Sequence, residues 1–320
     1  MKILMVASEA APFAKTGGLA DVVGSLPAAL KSLGHEVAVL MPRYTAVDLE
    51  TARRVYDSLP LWLPPDRYDA SLYVIQRETP FYFLDCPPLF DRAGLYGEGG
   101  LDYPDNHVRF AILAQAALAI CRYVFRPDII HCHDWQAGLV PAYLRSIYAN
   151  DPTFLAIRTL FTVHNVGYHG LFPAKVLNQI GLADASVFRP DGLEFFGKVC
   201  YLKGGLSFRD ALNTVSPTYA REIQTPEYCQ NLKPVPGSMV SSSPPVARTT
   251  GTVPYFRLKV WFKPQGSYRL GIRNRSAPAS ILCASALSYP TRTAMRPGCR
   301  AAIARNSSSY CGSPAPSAAR

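Results

Sequence analysis

The chain has 320 residues, 48% of them hydrophobic, which is enough for a sizeable core and for two domains. Its formal net charge of +10 suggests a nucleic-acid or membrane binder, but the charges are unevenly distributed. Residues 1–228 carry 20 Lys and Arg against all 23 Asp and Glu, whereas residues 229–320 carry 13 Lys and Arg and no acidic residue. The first part therefore has the composition of an ordinary, mildly acidic globular protein.

The eight cysteines and the amino terminus indicate a compartment. None of the cysteines forms a C-x-x-C pair, so a zinc ribbon or a thioredoxin-like motif is not expected, and scattered single thiols are typical of a reducing environment. The apolar start is soon followed by Glu9 and Lys15, which argues against a signal peptide, and no apolar window approaches the length of a membrane helix. We expect a cytoplasmic protein with no membrane partner.

The first element is an apolar strand at residues 2–7, followed by a Lys15-Thr16-Gly17-Gly18 turn and a helix that begins near Gly18. Backbone N–H groups at such a helix start point outward, and the helix dipole favours anionic oxygens there. Lys15 adds a positive charge, so the simplest predicted ligand of this segment is a phosphate or diphosphate. The alternative is a tight turn without a ligand, since the G-x-G-x-x-G spacing of dinucleotide-binding proteins is missing.

The rest of residues 1–228 alternates between strands and helices. We predict strands at 35–41, 71–76, 81–85, 126–134, 157–163 and 211–215, and helices at 105–123, 135–148, 197–209 and from Pro217, with Ser216 as its cap. The strands at 71–76 and 81–85 are expected to pair at the sheet edge, and residues 86–106 to form a long loop of the kind that is often functional. This alternation predicts an α/β fold with a doubly wound parallel sheet.

Residues 229–320 differ in character. They contain 14 Ser and 11 Pro, and only Val253–Phe262 has the pattern of a short strand. This composition predicts an irregular, disordered basic tail. The alternative is an RNA-binding arm, but the arginines are spread out and no aromatic platform accompanies them, so we expect no nucleic-acid partner.

Three predicted strands deliver polar residues to the sheet edge where ligands bind in open α/β proteins. The first leads to the Lys15–Gly18 turn and Asp21, the second to His131, His133 and Asp134, and the third to His164 and Asn165. His131 and His133 alternate along a strand and so face the same way, which would suit a shared metal ion. The alternative is one hydrogen-bonded core histidine with Asp134 as a helix cap. We favour this alternative and expect no metal, because no further ligand is nearby in sequence.

Four motifs carry a resemblance to a known family: KTGGLADVVG at 15–24, HCHDWQAGL at 131–139, FTVHNVGYHG at 161–170 and TVSPTYAREI at 214–223. In this order they resemble the bacterial glycogen synthases and plant starch synthases. The resemblance runs from residue 1 to about Tyr228, about seven tenths of the chain, and corresponds to the amino-terminal half of those enzymes.

The resemblance implies one Rossmann-like half of a GT-B glycosyltransferase, in which two such halves face each other across a cleft. The family transfers glucose from ADP-glucose to the non-reducing end of an α-1,4-glucan, retaining the anomeric configuration, and uses no metal or other cofactor. It implies that Lys15 binds ADP-glucose, that Gly17 and Gly18 offer N–H groups to the diphosphate, and that His164 lies near the transferred glucose.

Further residues are assigned on the same resemblance. Asp21 lies on the approach from the turn to the helix and is a catalytic candidate together with His164. Asp134 and Asn165 are expected in the donor cleft. Tyr96 and Tyr103 in the long loop are candidates for holding the acceptor glucan, since flat rings suit sugar faces, with a packed surface loop as the alternative.

The chain departs from the family pattern after Tyr228, where the family continues into a second Rossmann-like half and Cys229 begins an unrelated sequence. The loss of every acidic residue and the excess of Arg, Ser and Pro suggest a shifted reading frame. We therefore expect a catalytic-type domain at 1–228 and a non-homologous tail at 229–320, in a truncated chain that is inactive alone. Alternatives are a glucan- or nucleotide-binding remnant, or another GT-B transferase similar to sucrose synthase. Acceptor length and oligomeric state stay open.

Overall fold

The computed structural model describes residues 1–184, 186–225, 256–262 and 268–274, the last two ranges as backbone. The domain boundary expected after Tyr228 and most of the predicted basic tail lie outside these residues. Within the described part, no helix is both long and apolar enough to cross a membrane.

The described strands alternate with helices along the first 225 residues. The strands are β1 (Lys2–Val6), β2 (Glu36–Pro42), β3 (Arg53–Leu63), β4 (Asp66–Gln76), β5 (Pro80–Asp85), β6 (Gly97–Glu98), β7 (Leu101–Asp102), β8 (Ile129–His133), β9 (Arg158–Val163), β10 (Leu171–Pro173), β11 (Glu194–Phe195), β12 (Lys198–Cys200), β13 (Ala211–Thr214), β14 (Phe256–Phe262) and β15 (Tyr268–Asn274). The helices are α1 (Gly18–Ser32), α2 (Pro87–Phe90), α3 (Asn106–Tyr123), α4 (Leu139–Arg145), α5 (Val176–Gln179), α6 (Tyr201–Phe208) and α7 (Pro217–Glu222).

Eight strands form one sheet in the order β13-β9-β8-β1-β2-β5-β4-β3. The first six in this order are parallel, and β4 and β3 add an antiparallel edge. Numbered along the chain, the parallel strands follow the order 3-2-1-4-5-6, which is that of doubly wound dinucleotide-binding folds. The predicted α/β parallel sheet is therefore confirmed. Because the chain leaves β1 in one direction to β2 and returns on its other side at β8, the topological switch point lies between β1 and β8.

The central strands are apolar because both faces of the sheet are covered. All of β1 after its first residue and all of β2 after Glu36 are buried, as expected for strands in the middle of a parallel sheet. Helix α3 packs against β3, β2 and α4 and is buried almost all round. Its Arg109 has no exposed surface; the guanidinium donates to the Leu89 carbonyl oxygen at 2.7 Å and to Asn106 Oδ1 at 2.6 Å.

The predicted sheet edge needs correction. The strand predicted at 81–85 lies inside the sheet as β5, parallel to β2, and only β4 is antiparallel to it. The true edge is β3, which the sequence analysis did not identify; two register shifts against β4 break its alternation. The predicted loop at 86–106 also contains a short helix and a two-residue ladder, α2 and β6–β7.

Two predicted helices are shorter than expected. The helix predicted at 135–148 is a 3-10 turn at Trp135–Ala137 followed by α4, and the helix predicted at 197–209 begins only at Tyr201, after β12. The helix predicted from Pro217 is confirmed as α7, and its cap is confirmed as well, since Ser216 Oγ accepts from the Tyr219 N–H at 3.0 Å. In the carboxyl-terminal part, β14 and β15 pair as an antiparallel hairpin, in agreement with the short strand predicted at 253–262.

Candidate functional site

The predicted site residues follow the carboxyl ends of three adjacent strands. Strand β1 leads to Glu9 and the turn before α1, β8 ends at His133 and Asp134, and β9 ends next to His164. These strands neighbour each other in the order β9-β8-β1. Because parallel strands point the same way, their polar ends lie along one edge of the sheet, at the switch point where open α/β proteins bind ligands.

The turn before α1 is open to solvent. Lys15, Thr16, Gly17 and Gly18 are all exposed, and Cβ atoms added at the two glycines would meet no atom within 4 Å. Lys15 Nζ pairs with Asp21 Oδ1 at 2.7 Å, and both side chains are more than half exposed. An exposed pair of this kind exchanges readily with solvent or a ligand, because its contribution to stability is at most about 1 kcal/mol. The Lys15 ammonium is thus available to an anion at the start of α1.

A buried carboxylate, Glu9, lies behind this turn. It is only 3% exposed, and its Oε2 accepts the N–H groups of Thr16 and Gly17, the latter at 3.3 Å. Its Oε1 accepts the Thr16 hydroxyl at 2.7 Å and the Tyr96 hydroxyl. The Gly17 N–H, which was expected to face a diphosphate, therefore already has an acceptor inside the protein.

Asp134 connects β8 to β9 through its side chain. Its Oδ1 accepts the backbone N–H of His164 at 2.7 Å and that of Asn165 at 3.4 Å. Its backbone has φ 53°, in the left-handed region that non-glycine residues rarely adopt and that is concentrated at functional sites. The prediction that Asp134 caps the following helix is wrong: no cap hydrogen bond forms, because the carboxylate is used by the neighbouring strand end. Burial raises the pKa of Asp134 to about 7, against the lowering effect of those two N–H donors.

Three histidines line the same strand ends. His133 Nδ1 and His164 Nε2 are 2.9 Å apart, and His131 Nε2 lies 2.6 Å from the Thr162 hydroxyl. Burial lowers the pKa of His131 to about 3 and that of His164 to about 4, and it lowers that of His133 as well, so all three rings are neutral at pH 7. His133 Nε2 and His164 Nδ1 are buried without a hydrogen-bond partner.

These side chains border a small pocket between α1 and the ends of β8, β9 and β13. It is lined by Val22, Leu26, His131, His133, Thr162, His164, Asn213, Thr214 and Val215. His164 therefore shares a hollow with α1, whereas Lys15 lies on the exposed turn that precedes this helix. Asn165 is exposed, and its side-chain oxygen accepts the Gly167 N–H at 2.9 Å.

The described residues do not supply the ligands that the alternative metal site would need. His131 is a hydrogen-bonded core histidine, as predicted. The His133 ring lies 4.1 Å from the His131 ring, and its Nδ1 contacts His164 Nε2. Among the residues that the structure describes, no group of three His, Cys, Asp or Glu side chains is placed to hold a metal ion.

The two loop tyrosines are partly buried against neighbouring side chains. The Tyr96 ring lies 6.0 Å from Phe110 and 6.5 Å from Trp135, and its hydroxyl contacts Glu9. The Tyr103 ring has the guanidinium groups of both Arg92 and Arg109 within 5 Å of its centroid. These contacts are of the kind expected for the alternative, a packed surface loop.

Sequence reasoning missed two residues of this site. Glu9 was not assigned a role, because a glutamate after a strand is usually a surface residue and its donors come from distant segments. His133 was considered only as a metal ligand. Its actual partner, His164, lies on the neighbouring strand, and the weak signal for it was that both motifs end a strand with histidine.

Comparison with known proteins identifies a family of similar sequences. The family model described as starch synthase catalytic domain matches residues 2–235. The glycogen synthase of Anaeromyxobacter dehalogenans (strain 2CP-C) is 50% identical over 231 residues, which cover 71% of this chain and 48% of that protein. The glycogen synthase of Syntrophotalea carbinolica is 45% identical over 235 residues, which cover 71% of this chain and 48% of that protein. The chain thus spans about half the length of the curated relatives it matches.

A solved structure gives the same result. The catalytic domain of starch synthase IV from Arabidopsis thaliana, bound to ADP and acarbose, superimposes with a TM-score of 0.66 at 32% identity. The match covers 72% of this chain and 48% of that one. With a family model that covers most of the chain and a related fold that agrees with it, this chain belongs to the starch synthase catalytic domain family.

Proposed function

We propose that residues 1–228 form one half of an ADP-glucose-dependent glucosyltransferase and contribute Lys15 and His164 to the donor site, in the pathway that builds α-1,4-glucans. The observation that carries the proposal is the meeting of the Lys15 turn, Asp134 and His164 at one sheet edge, in a chain of the starch synthase catalytic domain family. The related starch synthase IV was solved with ADP, a diphosphate, which supports a nucleotide diphosphate as a ligand of this chain as well.

The chemistry of the site suits glucose transfer. Cleavage of the bond to ADP builds positive charge on the sugar and negative charge on the departing diphosphate. The Lys15 ammonium and the N–H groups at the start of α1 stabilise that negative charge more strongly in the transition state than in the ground state. Asp21 keeps Lys15 at the turn until the diphosphate replaces it.

The neutral histidines serve a different part of the donor. His164, with a ring nitrogen that has no protein partner, donates or accepts a hydrogen bond with a glucose hydroxyl. Asp134 fixes the backbone of His164 and Asn165 through its two N–H contacts, so the sugar-facing residues keep one geometry. Transfer keeps the anomeric configuration and needs no metal.

We propose ligand binding as the property of residues 1–228, which match about half of the relatives' length. The acceptor is an α-1,4-glucan such as glycogen, and the place of action is the cytoplasm. Tyr96 and Tyr103 are the proposed acceptor contacts; both rings are partly buried against neighbouring side chains.

The test is isothermal titration of the full chain with ADP-glucose, ADP and a maltooligosaccharide, together with Lys15→Gln. We expect ADP-glucose and ADP to bind and Lys15→Gln to weaken both about tenfold or more, as for a lost charge-assisted contact. Lys31→Gln, at the other end of the same helix, is the control and leaves the affinity unchanged. Equal affinity in wild type and Lys15→Gln would refute the assignment of the turn.

A second assay addresses the reaction. Radiolabelled glucose transfer from ADP-glucose to glycogen is measured beside a full-length relative, and we expect the relative to be far more active. Binding of the maltooligosaccharide without ADP-glucose would instead favour a glucan-binding module.

A further inference from the structure

The turn before α1 has a buried side, which contacts the Glu9 carboxylate, as well as the exposed side that bears Lys15. We infer that Glu9 is a positioning residue of the donor site, which holds the Lys15 turn in its binding geometry through hydrogen bonds to Thr16, Gly17 and Tyr96. The inference rests on the proposed function of that turn.

The first argument is the number and origin of the donors. The Glu9 carboxylate receives four hydrogen bonds, from the Thr16 N–H, the Gly17 N–H, the Thr16 hydroxyl and the Tyr96 hydroxyl. These donors come from two segments about 80 residues apart in sequence. A single carboxylate therefore joins the start of α1 to the loop before α3.

The second argument is electrostatic. Glu9 is almost fully buried, and none of the ion pairs among the described residues includes it. A buried carboxylate without a cation is tolerated only where hydrogen-bond donors satisfy it, and breaking such bonds is expensive. The turn therefore cannot move away from Glu9 without leaving its buried oxygens short of donors, and this restricts the motion of the turn.

The third argument concerns which N–H groups remain for a ligand. Glu9 takes the inward-facing N–H groups of Thr16 and Gly17. Lys15 and Gly18 then face solvent at the first turn of α1. A loose turn would present these groups in many arrangements, and ordering it would cost binding free energy. Glu9 supplies that order in advance.

The fourth argument is the anchor on the other side. Tyr96 donates to Glu9 and its oxygen lies 2.7 Å from Ser8 Oγ, while its ring packs on Phe110 and Trp135. Trp135 directly follows Asp134. The turn is thus tied through Glu9 and Tyr96 to the same core that supports the second strand end of the site.

The experiment measures amide hydrogen exchange at residues 14–18 in the full chain without ligand, for wild type, Glu9→Gln and Tyr96→Phe. We expect exchange at Thr16 and Gly17 to become about tenfold faster or more in Glu9→Gln, with a smaller rise in Tyr96→Phe. Glu98→Gln, an exposed glutamate of β6, is the matched control and leaves exchange at the turn unchanged. Wild-type protection of Thr16 and Gly17 in Glu9→Gln would overturn the inference.

A pair of variants on the exposed side covers the case in which Glu9→Gln does not fold. Thr16→Val removes the hydroxyl that donates to Glu9, whereas Thr16→Ser keeps it. We expect Thr16→Val to loosen the turn and to weaken ADP binding severalfold, and Thr16→Ser to restore both. If Thr16→Val and Thr16→Ser show the same amide exchange at the turn and the same ADP affinity, the positioning role of Glu9 is contradicted. If wild type does not bind ADP at all, the proposed function fails, while the exchange comparison still decides the role of Glu9.

Discussion

Replacing Asp134 by Asn tests the electrostatics of the site most directly. The substitution keeps an oxygen that accepts the His164 N–H, and Asn tolerates the positive φ of this position. What it removes is the ionisation. Asp134 is 8% exposed, and burial raises its pKa from the ordinary 3.8 to about 7. The variant therefore isolates the free energy of burying this carboxyl group in its charged form.

The magnitude follows from linkage. Between pH 3.8 and about 7 the folded chain holds a proton on Asp134 that the unfolded chain has released, so the free energy of unfolding falls as the pH rises. The slope reaches about 1.4 kcal/mol per pH unit and flattens above the folded pKa. From pH 5 to pH 8 the wild type should lose about 2 to 3 kcal/mol from this group. Asp134→Asn does not titrate and loses none of it.

The assay is urea unfolding of wild type and variant at half-unit steps from pH 5 to pH 8. We expect the stability of Asp134→Asn relative to wild type to improve steadily across this range. Asp102→Asn, an exposed carboxyl group of β7, is measured in parallel as the control. If wild type and Asp134→Asn give parallel pH profiles, the buried, protonated state of Asp134 is wrong.

Three further predictions concern the core beneath the site. Gly205→Ala should cost about 1 to 3 kcal/mol in urea unfolding although Ala favours helices, because its Cβ would lie 2.1 Å from the Phe161 ring; Gly18→Ala, with no atom within 4 Å, should cost far less. The lowered pKa of His131 contributes stability above pH 6.5 that is lost in acid, so wild type should lose about 2 kcal/mol through this group between pH 6 and pH 4. His131→Asn should not show this loss; identical decreases in the free energy of unfolding of wild type and variant would contradict the prediction. The four buried cysteines of the described residues should resist iodoacetamide until urea unfolds the chain, as peptide mapping would reveal, because they are buried and their pKa is raised.

Local patterns predicted the parallel sheet and the strand ends well. Apolar runs such as β1 and β2 are specified by their own composition, because strands covered on both faces need no polar alternation. The edge was harder, since the register shifts in β3 destroy the alternation on which sequence reasoning depends. Pairing between β2 and β5 is a long-range choice that no local pattern encodes.

The site shows the same division. The sequence indicated that Lys15, Asp134 and His164 follow strand ends, and the structure brings those ends to one edge of the sheet. It did not indicate how the side chains pair. The contact of His133 with His164 depends on the register of β8 and β9. The hydrogen bonding of the Glu9 carboxylate depends on the hydroxyl of Tyr96, which is distant in sequence. The cap predicted at Asp134 failed because a neighbouring strand competes for its carboxylate.

The order of the strands separates the candidate site from the antiparallel edge of the sheet. The three strands that lead to the site are β1, β8 and β9, whereas β3 lies four strands beyond β1, about 19 Å away at the usual strand spacing. The turn between β3 and β4, at Pro64 and Pro65, is exposed. A fluorophore or an affinity tag inserted at this exposed turn would therefore be separated from the site strands by the width of β2, β5 and β4.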